Sequence, residues 1–119
     1  MTARSSNLIY KISPKALWDD AVLKGRFDGA PVDLQDGYIH FSTAAQVRET
    51  AARHFAGQAN LLLIAVDGGA LGDALRWEPS RGGDLFPHLY GPLPVTAACL
   101  VLPLPLGADG DHVFPDLSS

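Results

Sequence analysis

The apolar run between Asn60 and Asp67 constrains the fold of this chain more than any other feature. Every residue from Leu61 to Val66 is apolar, and a Gly pair follows Asp67. A strand that is apolar at consecutive positions is typical of the centre of a sheet covered on both faces. We therefore predict a central β-strand at residues 60–67, with other elements packed above and below it.

Helical patterns come early in the chain and strand patterns come late. Hydrophobic periodicity and the positions of Gly and Pro predict strands at 8–12, 38–42, 75–78 and 95–102, helices at 14–24 and 43–55, a helical turn at 70–74, loops at 27–33 and 79–84, and an irregular segment or edge strand at 85–91. This order is typical of an α+β fold. No glycine-rich dinucleotide fingerprint follows the first strand, which excludes a Rossmann fold. We predict one domain at 1–106 and a C-terminal tail at 107–119.

Composition narrows the classes of function. The formal charge of −4 argues against broad nucleic-acid binding, which needs clustered Lys and Arg. No apolar run reaches the roughly 18 residues of a membrane span, and the polar N-terminus lacks a signal-peptide core, so a cytoplasmic protein without membrane partners is expected. The single Cys99 excludes a disulfide framework and is predicted to be a buried thiol. The four His residues lack metal-ligand spacing, so no metal cofactor is expected. Nothing in the sequence indicates an oligomeric state.

The stretch from Asp36 to Thr43 is the first candidate site. After a turn at Asp36-Gly37, strand alternation places Tyr38, His40 and Ser42 on one face. Ser42 or Thr43 can cap the following helix, whose free N–H groups favour an anion. Imidazole is the usual acid–base group near neutral pH, whereas a hydrogen-bonded core histidine is the alternative.

The second candidate lies between Glu78 and Tyr90. Gly82 and Gly83 allow a close backbone approach to an anion, and Arg81 could bind phosphate in a bidentate manner. The alternative for these residues is a surface turn with a solvated Arg. His88 follows as a second imidazole, and Glu78 is expected to pair with Arg76 or Arg81.

Several of these segments resemble a small bacterial family, domain of unknown function 952. The resemblance covers residues 8–102 and depends on residues 9–12, Trp18, 36–43, Gln46, Val47, Val66, Asp67, 77–83 and 86–91. It implies an ADP-ribosylation-like fold, with a split antiparallel or mixed sheet and two main helices early in the chain. The segment from His40 to Ser42 and the helix after it are also similar to the catalytic lobe of NAD-dependent RNA 2′-phosphotransferase.

The resemblance implies a cleft that binds NAD or a related nucleotide and supports glycosidic, ADP-ribosyl transfer. Its catalytic residues would be His40 and His88, and its cofactor-binding residues would be Lys11, Tyr38, Ser42, Thr43, Arg81, Gly82, Gly83 and Tyr90. The chain departs from transferases of this fold in two ways. Lys11 stands on the first strand where they often carry His or Arg, and no catalytic Glu follows Glu78. A non-catalytic nucleotide- or protein-binding module and a two-histidine phosphodiesterase are therefore the alternative functions.

Overall fold

The computed structural model describes residues 8–117, apart from the side chain of Arg81. This part of the chain forms an α+β fold with antiparallel sheets. Its strands are β1 (Leu8–Pro14), β2 (Arg26–Phe27), β3 (Ile39–His40), β4 (Leu61–Asp67), β5 (Leu75–Pro79), β6 (Leu85–Leu89), β7 (Leu93–Pro94) and β8 (Ala98–Leu104). Its α-helices are α1 (Lys15–Lys24), α2 (Pro31–Asp36) and α3 (Val47–His54), and short 3-10 segments cover Gly68–Ala74, Arg81–Gly83 and Val95–Ala97.

The prediction of a central apolar strand is confirmed. β4 lies between β1 and β8 and pairs with both in antiparallel fashion. Its side chains alternate between two hydrophobic clusters: Leu62, Ile64 and Val66 in one, and Leu61, Leu63 and Ala65 in the other. The strand is uniformly apolar because both of its faces are buried.

A second sheet of order β3-β6-β5 meets the first at one point. The N–H of Tyr10 donates to the carbonyl of Ser42 (2.7 Å), and the N–H of Ser42 donates to the carbonyl of Tyr10 (2.9 Å). This bridge joins β1 to the segment that follows β3. It also brings Lys11 close to His40 and its neighbours.

Helix α2 begins inside the loop predicted at 27–33, so residues 31–33 are helical and not loop. Pro31 occupies the first helical position, where its missing N–H costs nothing. The carboxylate of Asp33 accepts a hydrogen bond from the N–H of Ala30 (2.8 Å), and Gly37 ends the helix in the left-handed region at φ 89°. The sequence interpretation missed this helix because it weighed Gly29 and Pro31 only as loop residues.

Two other boundaries differ from the predictions. Helix α3 begins at Val47 rather than at residue 43, because residues 44–46 form a turn. Strand β6 is central in its sheet, although Pro87 suggested an edge. The carbonyl of Pro87 accepts from the N–H of Phe41 (3.0 Å), so its missing N–H lies on the side of β3, which has already ended at His40.

The last strand also differs in its burial. Cys99 is exposed, so the prediction of a buried thiol was wrong. β8 pairs only with β4 among the described strands, and its other edge leaves Cys99 and Leu100 accessible. Consecutive apolar residues therefore mark a covered strand in β4 but an edge strand in β8.

The described part of the predicted tail folds back onto α3. Leu106 and His112 form a bridge, Nε2 of His112 lies 2.8 Å from the carbonyl of Gln58, and the Arg48 guanidinium lies 5.3 Å from the centre of the Phe114 ring. The boundary at residue 106 stays a prediction. Within residues 8–117, none of the helices combines the length and the apolar composition needed to cross a bilayer.

Candidate functional site

A cavity of about 500 Å³ opens where the two sheets meet. Strands β1 and β6, the segment after β3 and the end of α3 all contribute to its wall. The described lining consists of Tyr10, Lys11, Ile12, Val32, Asp36, His40, Phe41, Ser42, Thr50, His54, Phe55, Ser80, Phe86 and His88. Aromatic and aliphatic side chains with polar groups converging among them are typical of a small-molecule site.

His40 is held by a carboxylate at each ring nitrogen. Its Nδ1 lies 2.6 Å from Oδ1 of Asp33, and its Nε2 lies 2.9 Å from Oδ2 of Asp36. Both nitrogens donate only when the ring carries two protons. The two carboxylates can therefore both accept from His40 only when its ring carries a proton on each nitrogen.

Asp33 connects His40 to Lys11. Besides Nδ1 of His40, its carboxylate accepts from Nζ of Lys11 (2.8 and 3.0 Å) and from the N–H groups of Ala30 (2.8 Å) and His40 (3.1 Å). Its side chain is 1% exposed. Burial raises the pKa of Asp33, but the hydrogen bonds from His40, the charge and hydrogen bonds of Lys11, and the N–H of Ala30 outweigh it and lower the pKa to about 2.

Within this ion pair, the charged form of Lys11 is less well stabilised than that of Asp33. Burial lowers the pKa of Lys11, and the charge and hydrogen bonds of Asp33 only partly oppose this effect. The difference arises because Asp33 receives donors from three residues, whereas the Lys11 ammonium has the single carboxylate as its partner among the described residues. Lys11 is thus placed at the cavity, but its charge is already neutralised.

The chain packs tightly around Asp33. Gly29 stands at φ 121°, and a Cβ at this position would lie 2.8 Å from Cβ of Asp33. A side chain at residue 29 would push α2 and the carboxylate away from His40. Gly29, predicted as a loop residue, is therefore part of the support of the site.

His88 has the same kind of partner in different surroundings. Its Nδ1 lies 2.8 Å from Oε1 of Glu78, and the hydroxyl of Tyr90 donates to that same oxygen at 2.7 Å. Hydrogen bonds from Tyr90 and then His88 lower the pKa of Glu78, and the charge of Arg76 adds a smaller effect. The expected pairing of Glu78 with Arg76 or Arg81 is thus replaced, for the described side chains, by pairing with His88 and Tyr90.

The contact with Glu78 distinguishes the two ring nitrogens of His88. The ionised Glu78 accepts from Nδ1–H, which leaves Nε2 with a lone pair when the ring is neutral. His88 is 3% exposed, and its Nε2 has no hydrogen-bond partner among the described residues. It lines the cavity, so a ligand is the natural partner for this atom.

The two imidazoles are neighbours. Their ring centroids lie 5.6 Å apart at an angle of 69°. Tyr38 stacks on His88 at 4.2 Å, contacts His40 at 4.7 Å and lies 5.2 Å from Tyr90. Burial and the charges of Asp36 and Glu78 raise the pKa of Tyr38, so its ring stays neutral and packs against both histidines.

The remaining predicted residues are less closely grouped. Ser42 is buried at the cavity, and its hydroxyl lies 3.0 Å from that of Thr50. The N–H of Thr43 donates to the side chain of Gln46 (3.0 Å), as in a capping box, and Thr43 is not part of the described lining. Gly82 and Gly83 form a turn in which the N–H of Gly83 donates to the carbonyl of Ser80 (2.9 Å). The prediction for the Arg81 side chain lies outside the described residues.

Asp33, Asp36 and His54 also belong to the site, although the sequence interpretation gave none of them a role there. A local signal for the start of α2 was available, since Pro31 at the first helical position and an Asp two residues later are typical of it, but that signal does not connect Asp33 with Lys11 or His40. His54 was interpreted as structural or exposed, but the end of α3 places it in the cavity wall. Among residues 8–117, no three His, Cys, Asp or Glu side chains are grouped to hold a metal ion.

Comparison with known proteins identifies the family. The family model described as "Protein of unknown function (DUF952)" matches residues 12–101. The chain belongs to the DUF952 family. No curated protein matches this DUF952 chain.

Solved structures of a bacterial protein have a fold similar to that of this chain. The crystal structure of protein CC0527 from Caulobacter crescentus is 54% identical, with a TM-score of 0.86 over 89% of this chain and 93% of that one. The solution NMR structure of CC0527 gives 54% identity and a TM-score of 0.80 over 88% and 90% of the two chains. The DUF952 chain thus shares its fold and about half of its residues with CC0527.

Proposed function

We propose that this DUF952 protein is an acid–base enzyme acting on a nucleotide-sized phosphodiester, with His40 and His88 as the proton-transferring groups. The pairing of the two imidazoles carries this proposal. Both line one cavity, their centroids lie 5.6 Å apart, and each is held at Nδ1 by a carboxylate of its own. Two such rings can act on opposite sides of a single reacting phosphate.

The contacts favour a different role for each ring. His88 is the base, because its Nε2, which has no partner among the described residues, can accept a proton from a water or hydroxyl nucleophile. His40 is the acid, because a carboxylate faces each of its ring nitrogens, and both contacts are hydrogen bonds only when the ring carries two protons. The nucleophile's oxygen forms a bond to phosphorus, the bond from phosphorus to the leaving oxygen breaks, and that oxygen takes the proton from His40.

The cavity supports a ligand of nucleotide size. Its volume of about 500 Å³ lies within the usual range for small-molecule sites. Phe41, Phe55 and Phe86 offer apolar surface to a sugar or base, and Ser80 adds a hydroxyl. A phosphodiester carries one negative charge, which a His40 ring with a proton on each nitrogen would balance.

Glycosidic cleavage of NAD is the second candidate, and Glu78 favours it. This ionised carboxylate lies beside His88 and Tyr90, and a carboxylate can stabilise the positive charge that develops on a ribose carbon. The meeting of two antiparallel sheets at Tyr10 and Ser42 supports the ADP-ribosylation-like fold that the family resemblance implies. NAD ranks second because its diphosphate needs cations, and the one Lys or Arg in the described lining, Lys11, is already paired with Asp33.

The test compares two substrates and matched variants. Wild-type protein, His40→Gln and His88→Gln are incubated with 2′,3′-cyclic mononucleotides and, separately, with NAD, while His112→Gln serves as a histidine control outside this cavity. We expect turnover of the cyclic phosphodiester, a loss of about 100-fold or more in both site variants, and none in the control. Circular dichroism checks that each variant is folded.

Each other outcome decides against the proposal in its own way. Release of nicotinamide from NAD, abolished in Glu78→Gln, would establish the second candidate instead. Binding of either ligand without any product would indicate a non-catalytic module.

A further inference from the structure

The side chain of Asp36 contacts Nε2 of His40, the ring nitrogen that would face a ligand. Its Oδ2 lies 2.9 Å from Nε2, and both residues line the cavity. In the proposed reaction this nitrogen must give its proton to the substrate. The carboxylate of Asp36 therefore stands where a substrate oxygen has to be.

Asp36 is not needed to hold the ring. The Nδ1 contact to the buried Asp33 and the packing of Tyr38 already orient His40. Asp36 is also free to leave, because its side chain is 39% exposed, and it is the last residue of α2 before Gly37. Exposed ion pairs contribute little, so breaking this one weakens ligand binding by at most about five-fold.

The charges around His40 indicate which kind of group would replace the Asp36 carboxylate. With Asp36 in place, the two carboxylates balance Lys11 and a protonated His40. Moving Asp36 into solvent leaves one positive charge at Nε2 of His40. A group with one negative charge and an oxygen acceptor restores the balance.

We infer that Asp36 is a displaceable stand-in for the ligand's oxyanion: its carboxylate occupies Nε2 of His40 in the free protein and leaves when a singly charged phosphodiester or carboxylate binds. This inference rests on the proposed function for its ligand class. It assigns to Asp36 the control of affinity for charged ligands.

The experiment uses small probes of defined charge. Dimethyl phosphate and acetate are titrated into the wild-type protein and Asp36→Ala, with the His40 ring signals followed by NMR. Trimethyl phosphate is the neutral control ligand, and Asp19→Ala is the control variant, since Asp19 is also an exposed carboxylate in an i,i+4 ion pair, with Lys15. We expect about two- to five-fold tighter binding of at least one anion in Asp36→Ala, with no change for the neutral probe or the control variant.

The outcomes separate this inference from the proposed function. Weaker or unchanged binding of both anions in Asp36→Ala would overturn the inference, because Asp36 would then hold His40 or play no part. Tighter binding of acetate alone, without phosphodiester turnover by the wild-type protein, would support the role of Asp36 and overturn the phosphodiester function.

Discussion

The two histidines of the cavity are held by the same contact but in opposite surroundings. His40 is 31% exposed, whereas its carboxylate partner Asp33 is 1% exposed. His88 is 4% exposed at its side chain, whereas its partner Glu78 is 34% exposed. Asp33 is thus a buried anion paired with an accessible ring, whereas Glu78 is a more accessible anion paired with a buried ring.

The difference in burial gives the two carboxylates different roles: one stabilises the fold, and the other orients a histidine. A buried carboxylate with an ion-pair partner belongs to the fold, because its removal leaves a buried charge without compensation. A partly exposed carboxylate stays solvated without its partners, so its removal leaves no buried charge and acts on the imidazole that it contacts. We therefore expect changes at Asp33 to affect folding and changes at Glu78 to affect the chemistry of His88.

The largest expected effect comes from Asp33→Ala. It leaves the Lys11 ammonium buried and unpaired, and it removes the acceptor of two backbone N–H groups. We expect a loss of about 3–5 kcal/mol in the free energy of unfolding, measured by urea denaturation.

Two variants control this prediction. Asp28→Ala removes an exposed carboxylate that pairs with Arg26 and should leave the denaturation midpoint unchanged. The double variant Lys11→Met/Asp33→Ala should lose less stability than the two single variants together, since no unpaired ammonium remains. If Asp33→Ala and Asp28→Ala cost the same, the contrast between buried and exposed anions has no energetic basis.

Low pH should remove part of the stability that Asp33 contributes to the fold. The pKa of Asp33 is lowered to about 2, so the folded state binds this proton less readily than the unfolded chain. The stabilisation is complete above the ordinary Asp pKa of about 4 and is lost as the pH falls towards 2, by about 2 kcal/mol.

The measurement is the difference in unfolding free energy between wild type and Asp33→Asn at several pH values. This difference should stay constant above pH 4 and narrow as the pH falls below 4, by up to about 2 kcal/mol at pH 2. A difference that stays constant from pH 4 down to pH 2 would show that Asp33 keeps an ordinary pKa in the folded protein.

A smaller effect is expected from Glu78→Gln. The amide can offer either its oxygen or its NH₂ group to Nδ1 of His88, so the ring is no longer restricted to the tautomer with Nδ1–H. We expect the denaturation midpoint to stay that of the wild type, while ¹⁵N spectra of the His88 ring show a changed proportion of tautomers. Loss of the fold in this variant would place Glu78 with Asp33 among the structural anions.

Elements with one dominant pattern could be predicted from the sequence. The apolar run in β4 could only be satisfied by burial on both faces, and the stretch around His40 carries its own turn and polar residues. The strand at β6 could not, because whether Pro87 is tolerated depends on β3 ending at His40. That is a property of the neighbouring strand and not of the proline.

The candidate site divides in the same way. His40, His88 and Tyr38 follow from residue type and strand alternation, and they do meet in the structure. Asp33 does not, because its importance comes from Lys11, which lies 22 residues away in sequence. Long-range partners of a buried charge leave no local pattern.

The smallest expected effect tests the exposed anion directly. Tyr90→Phe removes the hydroxyl that donates to Oε1 of Glu78, which is the largest cause of the lowered pKa of that carboxyl. The pKa of Glu78 should therefore rise towards its usual range, as followed by ¹³C NMR of the carboxyl carbon. Tyr38→Phe is the matched control, because the Tyr38 hydroxyl has no hydrogen-bond partner among the described residues. An equal rise in both variants would mean that ring packing, and not the hydroxyl of Tyr90, keeps Glu78 ionised beside His88.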